Sequence, residues 1–309
     1  MTGGLPVLDA VDSVLVRELQ RDGRATFQAL ADRVGLSRTA VRARVQSLLE
    51  NGVVRVVGIV HAQVIGADAV GHLAVTVDGP ARDVAAEVAK HPAVSFAGLS
   101  TGPQAVIAEA RARDDAALAL VVDDLRQLTG VASVEVFRSV DVVKDAHSVV
   151  RVLGDVILDD IDWRLLQELQ RDGRAPYTRL AGIIGLSQAA TRARVVRLMR
   201  SGVIQVTGLA DPAALGSVEL GGFGIIAAGV SVRRIAQEIA AVEGVRYVAA
   251  GFGRFDLVGR AEAGSAAHLV GVLDAVRSVA GVRLADSWHV LDVVKESYAA
   301  DLPDRQSFT

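Results

Sequence analysis

The strongest constraint on this chain is that it repeats itself. Moved by 150 residues, Asp12–Val60 falls on Asp162–Ala210 with 25 of 49 positions identical, and the shared centre is Glu-Leu-Gln-Arg-Asp-Gly-Arg-Ala at Glu18–Ala25 and Glu168–Ala175. A second match, offset by 151, sets Asp141-Val-Val-Lys144 on Asp292-Val-Val-Lys295, so one residue has been gained between Gly66 and Val84. This period lies far beyond the roughly 20–50 residues of solenoid repeats and describes a duplicated two-part unit. Tandem fusion accounts for an almost constant offset better than two similar domains with unrelated jobs.

Composition removes several classes of chemistry. Half of the 309 residues are hydrophobic (51%) and 22% are charged, so packed cores can form and a disordered chain is excluded. The absence of cysteine rules out disulfide frameworks, thiolate metal sites, iron–sulfur clusters and cysteine nucleophiles. No apolar run reaches the roughly 18–20 residues of a membrane span, and Met1–Asp12 has neither a basic start nor an apolar core. A soluble, cytoplasmic chain with no membrane partner is expected. The net charge of −3 does not point to nucleic acid, so the placement of positive charge decides.

That placement is uneven. Leu15 and Leu19, then Leu30 and Val34, sit at helical spacing on either side of Gly23 and predict two short helices. Gly35 suits a tight turn, and Ser37 is a good N-cap for a third helix whose Val41, Val45 and Leu48 form the buried stripe. Thr39, Ala43 and Gln46 then point outward, with Arg38 and Arg42 on one flank and Arg44 on the other. The second copy repeats this with Ser187 as cap and Gly202 as stop. Three arginines and no acid lie between Ser37 and Ser47, and four arginines and no acid between Ser187 and Arg200. A charged outer helix face is ordinarily just solvated. Here cap, turn, acid-free run and a following alternating segment, Val53–Val60, occur together twice. That combination predicts a winged helix-turn-helix binding double-stranded DNA, with cations at the groove edge and short polar or Arg side chains at base edges. The DNA-binding candidates are Ser37, Arg38, Thr39, Arg42 and Arg44, and in the second copy Ser187, Gln188, Ala189, Arg192, Arg194 and Arg197.

These residues carry a resemblance. Leu-Asp-x-x-Asp (Leu8, Asp9, Asp12; Leu158, Asp159, Asp162), Leu-Gln-Arg-Asp-Gly-Arg-Ala, then Gly-Leu-Ser with Arg-x-Arg-Val downstream, is similar to the Lrp/AsnC family of bacterial transcription regulators. The resemblance covers nearly the whole chain, twice.

After each wing the period turns to alternation and back. Strands are expected at His72–Val77, Val94–Leu99, Ala105–Ala110 and Val134–Phe137, with helices marked by Val84 and Val88 and by Leu118, Val122 and Leu125. The second half gives strands Phe223–Ala228, Arg246–Ala250, Asp256–Ala261 and Arg283–Val290, with helices around Ile235 and Ile239 and around Leu269 and Leu273. This βαββαβ order is ferredoxin-like and leaves one sheet face open. The expected α+β architecture therefore has two winged helix-turn-helix modules (1–62 and 148–212) and two ferredoxin-like modules (63–147 and 213–300), with a tail at 301–309. The two sheets are expected to pair face to face as a pseudo-dimer within the chain.

The resemblance also implies a ligand-sensing role for the ferredoxin-like modules, with a Thr-Gly-x-x-Asp turn near the effector amino acid. The first half keeps Thr101 and Gly102, with Gln104, but lacks the carboxylate; the second keeps Gly253 and Asp256, with Arg254 between. A carboxylate beside backbone amides suits a small zwitterion, and the same residues equally suit a tight hairpin. At most one responsive site per chain is expected, with an amino acid or similar small molecule as effector, and chains are expected to associate further as homo-oligomers.

No cofactor, metal or catalytic residue is expected. The histidines at 61, 72, 91, 147, 268 and 289 lack metal-ligand spacing, and there is no phosphate loop or nucleophile elbow. Two other readings remain. Siroheme decarboxylases resemble fused Lrp/AsnC units and would recruit His72 or His289 with a neighbouring Arg, but such an enzyme has no use for acid-free Arg helices. A DNA-compacting architectural protein would bind without sequence preference. The exposed helix starts differ, Arg38-Thr39 against Gln188-Ala189, and Arg favours guanine where Gln favours adenine, so a non-palindromic operator is expected.

Overall fold

The computed structural model describes residues 8–146, 150, 153, 156–210 and 218–297. The 301–309 tail and His147 lie outside the described residues. In chain order the first module holds α1 (Ala10–Arg21), α2 (Phe27–Val34), α3 (Arg38–Glu50) and β1 (Val54–Val60). Next come β2 (Ala69–Val77), α4 (Ala81–Lys90), β3 (Val94–Ser100), β4 (Val106–Ala112), α5 (Asp115–Arg126) and β5 (Val131–Asp145). The second half repeats both: α6 (Asp160–Arg171), α7 (Tyr177–Ile184), α8 (Gln188–Ser201) and β6 (Ile204–Ala210), then β7 (Glu219–Ala227), α9 (Val232–Ala240), β8 (Val245–Phe252), β9 (Leu257–Ala263), α10 (Ala266–Arg277) and β10 (Val282–Glu296). These elements gather into two units, one from residues up to 65 with those of 147–217, the other from 66–146 with 218–298.

The helical unit follows from its caps. Asp9 accepts from the Asp12 amide at 2.7 Å and closes a reciprocal capping box, and Asp159 and Asp162 do the same for α6. Gly35 (φ 69°) and Gly185 (φ 75°) end the second helices in the left-handed region, where a Cβ is disfavoured. Ser37 and Ser187 Oγ then accept from the Ala40 and Ala190 amides, each at 3.2 Å, starting the third helices. Leu15, Leu19, Leu30, Val41, Val45 and Leu48 bury the stripe that the spacing predicts, each contributing about 1.5–3 kcal/mol.

The wings are corrected. Each strand after a third helix pairs with its counterpart from the other copy: β1 and β6 form an antiparallel two-stranded sheet, from Val54↔Ala210 to Val60↔Ile204. They are also exchanged, since a Cβ on Gly58 would lie 2.9 Å from Leu169 O of α6, and one on Gly208 3.1 Å from the Leu19 carbonyl carbon of α1. An isolated strand cannot satisfy its backbone, and the duplicated one supplies the missing partner.

The second unit is a closed eight-stranded antiparallel barrel in the order β10-β3-β4-β2-β5-β8-β9-β7. Each half contributes a ferredoxin-like sheet with two helices on its outer face; Leu73, Val75, Val94, Val122 and Leu125 belong to one core and Phe223, Ile225, Ile235, Ile239 and Val272 to the other. The two sheets, expected to pair face to face, are also joined at their edges. The 15-residue strands β5 and β10 outrun their own sheets, and their ends hydrogen-bond to the other half: β5 to β8 (Arg138↔Phe252 to Asp145↔Tyr247) and β10 to β3 (Val290↔Ser100 to Glu296↔Phe96). Edge pairing removes open strand edges that packing by faces alone would leave exposed. The repeated Asp-Val-Val-Lys lies in these ends. Lys144 Nζ donates to Ala240 O at 2.7 Å and Lys295 Nζ to His91 O at 3.0 Å, so each long strand places a cation at the C-terminus of a helix in the other half.

Candidate nucleic-acid interface and interior cavity

On α3 and α8 the arginines divide by role. Arg38, Thr39, Arg42, Gln188, Ala189 and Arg192 are exposed, and among the described residues Arg38, Arg42 and Arg192 make no ion pair. Arg44 and Arg194, on the other flank, are paired with carboxylates. Arg44 Nη1 lies 2.6 Å from Asp9 and 2.9 Å from Asp12, and Arg194 Nη1 lies 2.6 Å from Asp159 and 3.0 Å from Asp162. Arg197 is held 2.5 Å from Asp162. These side chains tie the third helix to the capping box of the first, and the carboxyl of Asp9 is held below its usual range by the Asp12 amide and by Arg44. Helical spacing gave the angle of Arg44 correctly as a flank. It could not reveal that α1 comes up against that flank.

The shared Asp-Gly-Arg-Ala has a role that the sequence did not disclose. Arg24 donates to Gly173 O (2.6 Å) and Ala175 O (3.1 Å) and lies over the Tyr177 ring at 4.6 Å; Arg174 donates to Gly23 O (2.6 Å) and Ala25 O (3.1 Å) and lies over Phe27 at 5.1 Å. Gly23 N donates to Val206 O and Gly173 N to Val56 O. A Cβ on Gly23 would fall 2.7 Å from Val56 Cγ1, and one on Gly173 2.7 Å from Val206 Cγ1. The two helix-turn-helix modules are therefore clasped by reciprocal contacts, and the two reading helices are held on one scaffold.

The turn residues proposed for an effector are scattered in role. Thr101 clamps the β3–β10 join, its amide donating to His289 O and its Oγ1 accepting from His289 N, both at 3.0 Å. Gly102 turns with φ 93°, and Gln104 O accepts from Ser100 Oγ. Gly253 sits at φ 147°, where a Cβ would meet Val136 O at 2.6 Å. Asp256 Oδ2 accepts from the Ala227 amide at 2.8 Å, tying the β8–β9 turn to the end of β7. Arg254 alone among the six lines the barrel's interior cavity, paired with Asp286 (3.3 Å) and Glu135 (3.7 Å).

That cavity, about 80 Å³, lies between the two sheets. Its polar side is Glu109, whose side chain is only 3% exposed: Oε1 takes Ser95 Oγ and Arg111, while Oε2 faces Arg260 at 3.5 Å and His72 at 4.0 Å. Burial pushes the Glu109 carboxyl up, but Arg111 and Arg260 outweigh it and the net pKa is lowered, so it is ionised. Burial, aided by Arg260 and Arg111 against Glu109, lowers His72 to about 4. His72 is thus neutral, sharing a 2.9 Å hydrogen bond with Tyr247 OH. Neither half has this network alone. The register sets His72 opposite Glu109 and Phe137 in one half, and Gly222 opposite Arg260 and Trp288 in the other, so equivalent positions hold Glu and Arg, Phe and Trp, His and Gly. The signal was present in the chain, since Glu109 in Val-Ile-Ala-Glu-Ala and Arg260 in Leu-Val-Gly-Arg-Ala are charges of opposite sign at the same repeat position. Among the described residues there is no cluster of three side chains that could hold a metal, and no helix long and apolar enough to cross a membrane.

Comparison with known proteins gives a consistent family. An AsnC-type helix-turn-helix domain matches residues 8–49 and 158–199, and an Lrp/AsnC ligand binding domain matches 73–149. The chain is 31% identical over 143 residues to the HTH-type transcriptional regulator FL11 of Pyrococcus abyssi, covering 46% of this chain and 95% of that protein. To the leucine-responsive regulatory protein of Rhizobium meliloti it is 33% identical over 148 residues, covering 46% and 95%. Among solved structures, the siroheme decarboxylase NirDL with an iron-uroporphyrin III analogue matches with a TM-score of 0.62 at 16% identity, over 94% of this chain and 95% of that one, a likeness of fold.

Proposed function

The chain belongs to the Lrp/AsnC family of transcriptional regulators, and from that premise we propose that one chain reads two unlike DNA half-sites. The observation that carries this is the set of exposed, unpaired arginines at the starts of α3 and α8, arranged as Arg38-Thr39 with Arg42 in one copy and Gln188-Ala189 with Arg192 in the other. Arg42 and Arg192 hold the phosphate backbone, and the residues at 38–39 and 188–189 face base edges. Ser37 and Ser187 cap the helices at the same ends, where dipole and free amides favour a phosphate. Replacing Arg42 and Arg192 with Ala tests this: binding should weaken alike on all sequences, and the slope of log K against log salt should fall by about one per arginine. Unchanged binding across salt would contradict it.

The ferredoxin-like unit supports effector response. Exposed Val140 and Leu291, at matching positions of β5 and β10, offer an apolar pair for association of chains into a homo-oligomer. Against a tetrapyrrole enzyme stand the acid-free arginine runs of α3 and α8, for which such an enzyme has no use. Purified protein without tetrapyrrole absorbance is the expected result, and co-purified colour with loss of carboxyl groups would favour the enzyme. A DNA-compacting role predicts a ratio of specific to non-specific affinity near one, whereas the half-site reading predicts a ratio of about a thousand or more.

A further inference from the structure

The cavity between the two sheets of the barrel serves neither the reading helices nor the strand joins, and its two ends differ in charge. Its walls are apolar and come from both halves, Phe96 and Phe137 from one and Tyr247, Phe255 and Val258 from the other. At the inner end Arg111 and Arg260 hold Glu109 at 2.9 and 3.5 Å, two cations on one carboxylate, and both are fully engaged there: Arg260 also lies over the Phe96 and Tyr247 rings. The open end carries the opposite excess. Glu135 and Arg254 line it, each side chain 50% exposed, and the Arg254 guanidinium serves two carboxylates, Glu135 at 3.7 Å and Asp286 at 3.3 Å. Both contacts are longer than the 2.6 and 2.9 Å that hold Arg44, and among the described residues no other cation pairs with either acid. The repeat accounts for the excess, because Glu135 and Asp286 stand at equivalent positions whereas the counterpart of Arg254 is Pro103.

We propose that this cavity binds a small aromatic primary amine, one per chain, with its ring between the aromatic walls and its ammonium at the open end on the Glu135 carboxylate. Burying a ring is favourable and burying its charge is not, so the charged end stays where Glu135 and Arg254 are half in water. A cation is preferred there because the carboxylates outnumber the guanidinium, and because aromatic faces attract positive charge. These rings already receive cations, Arg254 over Phe255 at 5.2 Å and Arg260 over Tyr247 at 4.9 Å. A carboxylate finds no equivalent place, since Arg254 is shared between two acids and Arg111 and Arg260 are taken up by Glu109. The corresponding amino acid would set its own carboxylate against Glu135 and Asp286, so the amine is the better ligand. The cavity draws its walls from both halves, which makes the stoichiometry one per chain instead of two.

The test uses the full chain without DNA, so its failure would leave the DNA reading standing. Phenethylamine is titrated by calorimetry at neutral pH beside phenylalanine, phenylpropionate and phenethyl alcohol, which keep the ring and change only the charge. The expected result is equimolar binding of phenethylamine, with the other three weaker by about fivefold or more. Two variants at the half-exposed end should then move in opposite directions while their thermal midpoints stay close to that of the parent. Glu135→Gln should weaken phenethylamine by about fivefold, and Arg254→Gln, which removes the competing cation, should tighten it by a similar factor. Neither should alter the binding of phenethyl alcohol. Absence of heat with phenethylamine at millimolar concentration, equal binding of phenylpropionate, or variants that leave the amine unaffected or shift it in the same direction would each overturn the proposal.

Discussion

The two units of this chain treat one duplication in opposite ways. In the helical unit the copies mirror one another: Arg24 and Arg174 reach across with the same pair of distances, 2.6 and 3.1 Å, and Arg44 and Arg194 close on their aspartates at 2.6 Å. In the barrel the interior has become complementary, with Glu109 against Arg260 where a twofold homodimer would set Glu against Glu or Arg against Arg. A homodimer mutates both sides of its axis at once. A fused one does not, and the barrel interior has used that freedom while the DNA-bearing scaffold has kept its symmetry and varied only its exposed residues.

The largest effect is expected where the asymmetry is buried. Glu109→Gln leaves Arg111 and Arg260 without their shared carboxylate and should destabilise the barrel by about 3–5 kcal/mol in urea denaturation. Arg260→Met should cost less, because Arg111 still holds Glu109 at 2.9 Å; equal losses would mean that the two sides are interchangeable after all.

Acid sharpens the same contrast, because His72 titrates and its counterpart Gly222 cannot. Held neutral with a pKa of about 4, His72 binds its proton more readily in the unfolded chain, so its contribution is fully present above pH 6.5. That contribution is lost as the pH falls from about 6.5 to about 4, amounting to about 3 kcal/mol over the window. Urea midpoints at pH 7.5 and 4.5 should differ more for the parent than for His72→Asn, and a parallel loss in both would contradict the assignment.

Symmetry in the clasp is tested by paired glycines. Gly23→Ala and Gly173→Ala each drive a Cβ to 2.7 Å from a valine methyl and should destabilise the helical unit by about 1–3 kcal/mol, to a similar degree. If one is silent, the reciprocal contacts are unequal. The smallest expected effect on DNA belongs to Arg44→Ala. This change should lower the melting temperature and leave the salt slope of binding unaltered, whereas Arg42→Ala should do the reverse.

Local structure was legible in the sequence wherever a single element decides it. Gly35, Ser37 and the Val41–Val45–Leu48 stripe specify a turn, a cap and a buried face, and the strand and helix order of the barrel follows from a change of period. What depended on the partner copy was not legible. Val53–Val60 alternates as any strand would, and nothing in its pattern says that β6 is its partner. Asp141-Val-Val-Lys144 stood out as a repeat, yet its role as the end of a 15-residue strand appears only when β8 lies beside it. Spacing put all these arginines on the third helices but did not say which would be ion-paired, because a pair to α1 or α6 is a tertiary fact. The cavity escaped notice because its residues are spread over seven strands from both halves.

The central claim is that one chain presents two different reading helices on a symmetric scaffold. Selection of bound sequences from random DNA tests it most directly. The expected result is a two-part site whose halves differ, with a guanine required in the half read by Arg38 and lost as a requirement in Arg38→Gln. A perfectly palindromic site, unchanged in that variant, would contradict it.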